Sequence, residues 1–381
     1  MAKIIIAPDS FKHSLDSVSV ARAIAQGVRS VLGDADVIEL PIADGGEGTV
    51  TAMLRAVGGE RRRVVVEDPL GRPIDSVWGL LSDGTTAVVE LAACSGLQLI
   101  APAERNPLVT STYGLGQLIA AVLDAGPRRI ILGIGGSATV DGGVGMLTAL
   151  GVGMLDAEGN SVPRGGAGLC QLAAIDLANL DPQIEACDIR VACDVENPLV
   201  GACGAARVFG PQKGANPADV EILEAGLLRL GECIEAATGV SVLHAACCGA
   251  AGGVSAACRG LLGADLERGS ELVLDACGFD DLLAETALVV TGEGKLDSQS
   301  LGGKAPCAVA ARAREKGVPV IAVAGCLESS PELEACFDRI ISLTGDSVSQ
   351  EEGMQRAHEL LHLSGVAAGA WLAARDPGDV A

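Results

Sequence analysis

Aromatic residues make up only 2% of this 381-residue chain, so its core must be built mainly from Ala, Val, Leu and Ile. The hydrophobic fraction of 49% is large enough for such a core. No apolar run approaches the roughly 18 residues that a membrane helix needs, so we expect no membrane contact. The N-terminus also lacks the long apolar region of a secretory signal, which predicts a cytoplasmic protein.

Positive charge is scarce as well. Lys and Arg number 27 against 49 Asp and Glu, which gives a net charge of −22. Such a surface repels phosphate backbones and argues against a nucleic-acid partner. Four histidines are too few for a His-rich metal site, and the 13 cysteines include no C-x-x-C pair. The cysteines therefore indicate free thiols in a reducing compartment rather than disulfides or zinc ligands.

The chain length suggests two domains, and predicted strands and helices alternate at both ends of the sequence. Short β-branched runs predict strands at 3–7, 36–40, 287–291, 318–324 and 339–343, and helical periodicity predicts helices at 20–31, 48–57, 306–316 and 350–375. In the middle, 61–67, 74–81 and 85–91 predict an antiparallel meander. The fold class is therefore α/β. An outer doubly wound parallel sheet at 1–72 and 284–381 would contain an inserted second α/β domain at 73–283.

Five predicted strands run directly into turns rich in Gly and Asp, at 8–12, 44–49, 133–139, 193–198 and 291–297. Ligands of open α/β sheets bind at the carboxyl ends of the strands. Glycines allow backbone N–H groups to approach a phosphate closely. These turns therefore indicate an anionic, phosphate-bearing ligand.

The few lysines support this interpretation. Of the six, four lie in Gly-rich turns: Lys12, Lys213, Lys295 and Lys304. Carboxylates accompany them at Asp9, Asp44, Glu47, Asp141, Asp194, Glu293 and Asp297. Phosphoryl transfer uses this combination, because cations hold the phosphates and carboxylates hold Mg²⁺ or accept the proton of the attacking hydroxyl.

Other motifs leave alternatives open. No P-loop sequence is present, but residues 133–138 fit G-x-G-x-x-A, so an NAD(P)-dependent hydroxy-acid dehydrogenase is one alternative. A non-catalytic sensor of phosphorylated metabolites is another. Residues 358–362 match the H-E-x-x-H of zinc proteases, but no Glu or His follows His362 to complete a ligand set.

Eight segments, in order along nearly the whole chain, resemble the bacterial glycerate kinase family. They are APDSFK (7–12), PIADGGEGT (41–49), DPLGRPI (68–74), RNPLVTSTYGLGQLI (105–119), GIGGSAT (133–139), CDVENPL (193–199), VFGPQKGA (208–215) and TGEGKLDSQSLGGKAP (291–306). The resemblance implies a flavodoxin-like outer domain with a second α/β domain inserted, and a site in the cleft between them. It also implies ATP-dependent phosphorylation of D-glycerate with Mg²⁺, more often at the 2-hydroxyl than at the 3-hydroxyl, with another small hydroxy acid as the alternative substrate.

The resemblance and the motif chemistry together predict roles for individual residues. The predicted catalytic residues are Asp194, Lys213 and Lys12, and Asp194 and Glu293 are the predicted Mg²⁺ ligands. Substrate would be bound by Asp9, Ser10, Asp44 and Lys12, and the nucleotide by Gly133, Gly135, Gly136, Ser137, Thr139, Gly292, Gly294 and Lys295. The expected partners are D-glycerate and ATP, with a homodimer left open.

Three positions depart from the family pattern. His13 stands where the family usually has Gly, and Val140 stands where it usually has Asn. Residues 246–249, Ala-Cys-Cys-Gly, replace a usual Pro-Gly-Ala-Gly. We expect His13 and Val140 to border the cleft and to influence the choice of substrate.

Overall fold

The computed structural model describes residues 2–345 and 348–375. In chain order the strands are β1 (Lys3–Pro8), β2 (Asp36–Glu39), β3 (Gly59–Glu67), β4 (Pro73–Leu81), β5 (Thr86–Glu90), β6 (Arg129–Gly133), β7 (Gly153–Leu155), β8 (Ala174–Asp176), β9 (Asp188–Ala192), β10 (Asp265–Glu267), β11 (Thr286–Leu296), β12 (Val320–Leu327) and β13 (Arg339–Ser342). The α-helices are α1 (Ser17–Val31), α2 (Thr49–Val57), α3 (Ala92–Ser95), α4 (Tyr113–Leu123), α5 (Val144–Ala149), α6 (Ala205–Phe209), α7 (Pro217–Thr238), α8 (Val254–Leu261), α9 (Gly269–Ala276), α10 (Phe279–Leu282), α11 (Ala305–Glu315), α12 (Pro331–Glu334), α13 (Gln350–Gln355) and α14 (Ala357–Ala373).

The chain divides into two compact units. The first unit comprises Met1–Asp44, Thr51–Gly58 and Arg268–Ala381, and the second comprises Gly45–Val50 and Gly59–Glu267. These borders differ from the predicted ones at 72/73 and 283/284. Residues 59–72 lie in the second unit because β3 pairs with β4 along its whole length. Residues 268–283 lie in the first unit, where Arg312 of α11 forms ion pairs with Glu271 and Asp275 of α9.

The sheet of the first unit is fully parallel, with the strand order β13-β12-β11-β1-β2. Counted within the unit, this is the order 2-1-3-4-5 of flavodoxin-like folds. The predicted outer domain class is therefore confirmed. The sheet core contains Ile4, Ile5 and Ile6 of β1, which are completely buried, as expected for a run of β-branched residues without polar alternation.

Helices α1 and α14 pack closely together in the first unit. Asp16 caps α1 by accepting a hydrogen bond from the backbone N–H of Ser19. A Cβ atom placed on Gly27 would lie 2.0 Å from the carbonyl oxygen of His362, so only glycine allows this approach. The predicted single helix at 350–375 is two helices, α13 and α14, which meet at Arg356.

Strand β11 continues five residues beyond its predicted end. Its residues 292–296 pair with 323–327 of β12, so the segment Gly292–Glu293–Gly294–Lys295 is strand rather than the predicted turn. Glycine is required at position 292 by the neighbouring backbone, because a Cβ on Gly292 would lie 2.1 Å from the oxygen of Val323. Pairing with β1, by contrast, stops at Pro8 and Gly292.

The second unit contains a six-stranded mixed sheet with the order β10-β9-β6-β5-β4-β3. Strands β3, β4 and β5 form the predicted antiparallel meander, and β5, β6, β9 and β10 are parallel. The long helix α7 begins at a capping box, in which Asn216 accepts hydrogen bonds from Ala218 and Asp219.

Within 2–345 and 348–375, no helix is both long and apolar enough to cross a membrane.

Candidate active site

A cavity of about 260 Å³ lies in the first unit, at the carboxyl ends of its strands. It is lined by Asp9, Ser10, Phe11, Lys12, His13, Ser14, Asp44, Glu293, Gly294, Lys295, Lys304, Gly325, Cys326, Leu343, Thr344, Gln350, Gly353, Met354 and Ala357. We call it the first-unit cavity. Strand order reverses between β1 and β11, so the cavity lies at the topological switch point, where open α/β sheets bind ligands.

Asp9 is the most strongly perturbed carboxylate of the first-unit cavity. It follows β1 directly, is 8% exposed, and accepts a hydrogen bond of 2.5 Å from the backbone N–H of Ser10. Burial, reinforced by the negative charge of Asp44, raises its pKa from 3.8 to about 7. A buried acid that titrates near neutrality in a cavity is a candidate functional group.

Glu293 is the second buried carboxylate of the cavity. Its Oε1 accepts a short hydrogen bond from the hydroxyl of Ser300, which is itself completely buried. The hydroxyl oxygen of Ser300 in turn accepts from the backbone N–H of Asp297 at 3.2 Å. Burial raises the pKa of Glu293, and the Ser300 hydrogen bond opposes that rise. Ser300 is not among the residues predicted from the motifs, although its D-S-Q-S segment directly follows the strand that carries Glu293.

Three lysines line the same cavity. Lys12 Nζ lies 3.5 Å from Asp44 Oδ2, and this negative charge raises the pKa of Lys12. Lys295 forms ion pairs with Asp297 at 3.1 Å and Glu328 at 2.8 Å. Lys304 immediately precedes α11 and favours ionisation of Glu293 through its charge. Lys304 lies in one of the predicted Gly-rich turns but is not among the predicted site residues.

This arrangement can bind an anion beside carboxylates. The described residues contain no group of three or more His, Cys, Asp or Glu side chains arranged to hold a metal ion. Mg²⁺ does not need such a group, because it usually takes one or two protein carboxylates together with water and phosphate oxygens. Asp9 and Glu293 fit that mode, since each is held by a protein donor and lines the cavity.

In the second unit, the segment 133–139, which we call the 133–139 loop, begins at the last residue of β6. A Cβ on Gly133 would lie 2.4 Å from the oxygen of Gly45, and one on Gly135 would lie 2.8 Å from the Cα of Gly46. These glycines let two Gly-rich turns pack against each other. The N–H groups of Gly135 and Ala138 bond to the carbonyls of Gly45 and Ser95, respectively. These two N–H groups are therefore used within the protein, and phosphate binding by the loop stays a prediction.

Lys213 lies beneath the 133–139 loop rather than on the surface. It is 2% exposed, and its Nζ donates to Ser137 Oγ at 2.6 Å and to the Thr139 carbonyl at 2.7 Å. Burial lowers its pKa from 10.5 to about 7, although the charge of Asp141 opposes this. Asp141 is completely buried and accepts from the N–H and hydroxyl of Thr112. Lys213 thus supports the loop, and its direct contact with phosphate stays a prediction.

Asp194, the first candidate for general base, is exposed and lies two residues after the end of β9. It belongs to the second unit with Lys213, whereas Glu293 belongs to the first. The structure brings together Asp9, Ser10, Lys12, Asp44, Glu293, Gly294 and Lys295 around the first-unit cavity. It brings together Lys213, Ser137 and Thr139 in the second unit. Convergence of Lys213, Asp194 and Glu293 on one ligand stays a prediction.

Comparison with known proteins decides the family. The model of the glycerate kinase family matches residues 4–372. The chain belongs to the glycerate kinase family. It is 45% identical to a glycerate kinase of Bacillus subtilis over 94% of each chain, and 49% identical to a glycerate 2-kinase of Escherichia coli over 85% of each chain. A crystal structure described as "putative glycerate kinase 2 from Salmonella typhimurium LT2" matches with a TM-score of 0.89, at 46% identity over 98% of each chain.

Membership of the glycerate kinase family makes the chain an enzyme and confirms the resemblance inferred from the eight segments. The other motifs have structural explanations. Glu359 of the H-E-x-x-H segment forms an ion pair with Arg356, and the G-x-G-x-x-A glycines pack against residues 45 and 46. The dehydrogenase and sensor alternatives give way to the family assignment.

Two of the departures from the glycerate kinase pattern, His13 and Cys247, have left-handed backbone conformations. His13 lines the first-unit cavity and adopts φ +68°, a left-handed conformation that glycine adopts without strain. Cys247 likewise adopts φ +69° where the family usually has Gly. The expectation for Val140 was wrong, because its side chain is completely buried in the hydrophobic core of the second unit.

Proposed function

We propose that this chain uses ATP to phosphorylate D-glycerate, that the product is 2-phospho-D-glycerate, and that the reaction takes place in the cytoplasm. Family membership supports glycerate as the acceptor and a nucleotide as the donor. The 2-position is supported by the name of the E. coli relative, glycerate 2-kinase. A reducing cytoplasm agrees with 13 cysteines that are all free thiols.

The first-unit cavity is the observation that carries this proposal. Lys12, Lys295 and Lys304 supply positive charge for a carboxylate or phosphate, in a protein whose net charge is −22. Asp9 and Ser10 would form hydrogen bonds with the hydroxyl groups of the hydroxy acid. The apolar side of the cavity, which includes Phe11, Leu343 and Met354, would exclude water from the bound substrate.

Mg²⁺ is the expected metal, and the carboxylates present fit it. Glu293 would hold it in the first unit, and Asp194 is the predicted ligand in the second. When bound, Mg²⁺ would neutralise phosphate charge during transfer. Ser300 keeps the Glu293 carboxylate oriented, and Lys12 would balance the charge of the hydroxy acid's carboxylate. A buried Asp9 with a pKa of about 7 could hold or release a proton at its carboxylate near neutral pH.

A coupled ADP-release assay over a panel of small hydroxy acids tests the proposal. D-glycerate should give the highest kcat/KM, and L-glycerate, glycolate and lactate should be poor substrates. Phosphorus NMR of the product should show the phosphate coupled to the C2 proton. Preferential turnover of another hydroxy acid, or coupling to the C3 protons, would contradict the proposed substrate or position.

A further inference from the structure

The contact between Lys213 and Ser137 determines which way the Ser137 hydroxyl proton points. When Lys213 is protonated, its ammonium group has three donors and no acceptor, so in the 2.6 Å contact the Ser137 oxygen must accept. The proton of Ser137 must therefore point away from Lys213. Within residues 2–345 and 348–375, Ser137 Oγ donates no hydrogen bond. Ser137 is 7% exposed, so its hydroxyl is largely enclosed.

The backbone around Ser137 is fixed on both sides. The N–H of Ala138 donates to the carbonyl of Ser95 at 2.9 Å, and the N–H of Leu97 donates to the carbonyl of Gly136 at 2.9 Å. The hydroxyl of Thr110 donates to the carbonyl of Ala138 at 3.0 Å. The orientation of Ser137 is thus established before any ligand binds. A donor held in place in this way loses little freedom on binding.

Lys213 is held equally firmly and cannot easily leave its position. It ends a short 3₁₀ turn, and the next residue, Gly214, adopts φ +101°. A Cβ on Gly214 would lie 2.3 Å from the carbonyl oxygen of Arg105, so this approach requires glycine. Nζ already donates to Ser137 and to the Thr139 carbonyl. With 2% of its surface exposed, the ammonium acts on its surroundings mainly through these two acceptors.

We propose that Lys213 is a positioning residue that polarises the Ser137 hydroxyl and directs its proton toward an anionic oxygen of a bound ligand. This rests on the proposed function, whose two ligands both carry such oxygens: the phosphates of the nucleotide and the carboxylate of glycerate. A hydroxyl that accepts from an ammonium is a stronger donor, because hydrogen bonds in a chain polarise one another. In its protonated form, Lys213 therefore contributes positive charge through Ser137 and does not touch the ligand itself.

Isothermal titration calorimetry of wild type and variants with MgADP and with D-glycerate tests this assignment. Ser137→Ala should raise the dissociation constant of one of the two ligands about tenfold or more, since a hydrogen bond to a charged group is lost. The ligand affected identifies the source of the anionic oxygen. Ser137→Thr, which keeps the hydroxyl, should restore most of the affinity. Ser161→Ala is the matched control, because Ser161 is an exposed serine of the same unit.

A double-mutant cycle separates positioning from a general loss of structure. Lys213→Met should weaken the same ligand as Ser137→Ala, and the double variant should bind no more weakly than the weaker single variant. Steady-state kinetics should show a higher KM for the corresponding substrate, ATP if MgADP binding is weakened or D-glycerate if its binding is weakened, and an unchanged KM for the other substrate. If Lys213→Met does not fold, Lys213→Gln, which keeps a hydrogen-bond donor but removes the charge, replaces it in the cycle.

Two outcomes would overturn the assignment while leaving the proposed function intact. One is that Ser137→Ala binds both ligands within twofold of wild type. The other is that the effects of Ser137→Ala and Lys213→Met simply multiply, which would show that the two residues act independently. Wild-type protein that binds neither ligand would overturn the proposed function, and this assignment with it.

Discussion

The backbone N–H of Asp9 donates a hydrogen bond of 2.8 Å to the carbonyl of Gly292, where β1 and β11 stop pairing. The two strands are far apart in sequence, yet this contact places Asp9 beside the residue that precedes Glu293. Both carboxylates are buried and both line the first-unit cavity. Burying two acids side by side disfavours their charged forms, so this pair costs stability and is best explained by function.

Asp9→Asn should therefore increase stability and decrease activity. The folded-state pKa of Asp9, about 7, lies above its ordinary value of 3.8. The stability contributed by the protonated form is fully present below pH 3.8 and is lost as the pH rises through 7. Asn does not titrate, so the advantage of the variant should grow across this window, by at most about 1.4 kcal/mol per pH unit. Urea unfolding of wild type and Asp9→Asn at pH 5 and pH 8 measures this difference in stability.

Asp34→Asn is the control for Asp9→Asn, because Asp34 is an exposed carboxylate of the same unit. It should leave both stability and kcat/KM nearly unchanged. An Asp9→Asn variant whose extra stability is the same at pH 5 and pH 8 would show that the carboxylate is not perturbed by burial.

Ser300→Ala should reduce turnover while leaving the fold intact. The variant removes the hydroxyl that holds Glu293 Oε1, and it also leaves the N–H of Asp297 without its acceptor. Loss of this buried contact should cost about 1–3 kcal/mol of stability, and misplacement of Glu293 should lower kcat by roughly tenfold or more. The ADP-release assay and a thermal unfolding curve measure the two effects. Ser298→Ala, at an exposed position two residues away, should change neither.

Asp194→Asn should lower kcat by orders of magnitude, because the family resemblance makes Asp194 the leading candidate for general base or Mg²⁺ ligand. Its side chain is exposed, so the substitution should hardly change the unfolding temperature. Asp188, in the same segment, forms ion pairs with Arg129 and Arg190, and Asp188→Asn provides a structural comparison. Near-normal turnover by Asp194→Asn would remove Asp194 from the catalytic residues.

The sheet of the first unit could be predicted because its three central strands, β1, β11 and β12, are mostly buried. The uninterrupted run Ile4–Ile5–Ile6 and the later apolar runs mark such strands directly in the sequence. The end of β11 could not be found in this way. Residues 292–295 have the composition of a turn, but β12 offers a hydrogen-bonding partner across the sheet, and that partner overrides local preference.

The burial of Lys213 could not be predicted from the sequence either. A lysine within Gly-Pro-Gln-Lys-Gly is expected on an exposed turn, and its acceptors at Ser137 and Thr139 lie more than 70 residues earlier in the chain. Ser300 and Val140 show the same limit. Whether a side chain faces a cavity or a core depends on long-range packing, so motifs identified the segments of the site more reliably than the role of each residue.

His13→Gly should stabilise the protein by about 1 kcal/mol, because φ +68° is strained for every residue that has a Cβ. The greater freedom of glycine in the unfolded chain will offset part of this gain. His13→Ala is the matched control, since it removes the imidazole but keeps the strain. If the two variants unfold at the same denaturant concentration, the left-handed conformation carries no measurable cost.

Lys213→Met should change how stability depends on pH. Burial lowers the folded-state pKa of Lys213 to about 7, whereas the unfolded chain keeps a pKa near 10.5. Between these values the unfolded state holds a proton that the folded state has lost. Wild-type stability therefore contains a contribution that is fully present above pH 10.5 and is lost as the pH falls through 7.

The Lys213→Met variant lacks this contribution, so the free energy of unfolding of wild type minus that of the variant should rise by about 1.4 kcal/mol per pH unit between pH 7.5 and 9.5. Lys316→Met removes an exposed lysine and should show no such slope. A wild-type-minus-Lys213→Met difference that stays flat over this range would mean that the ammonium remains charged in the folded protein, held by Ser137, Thr139 and the nearby Asp141.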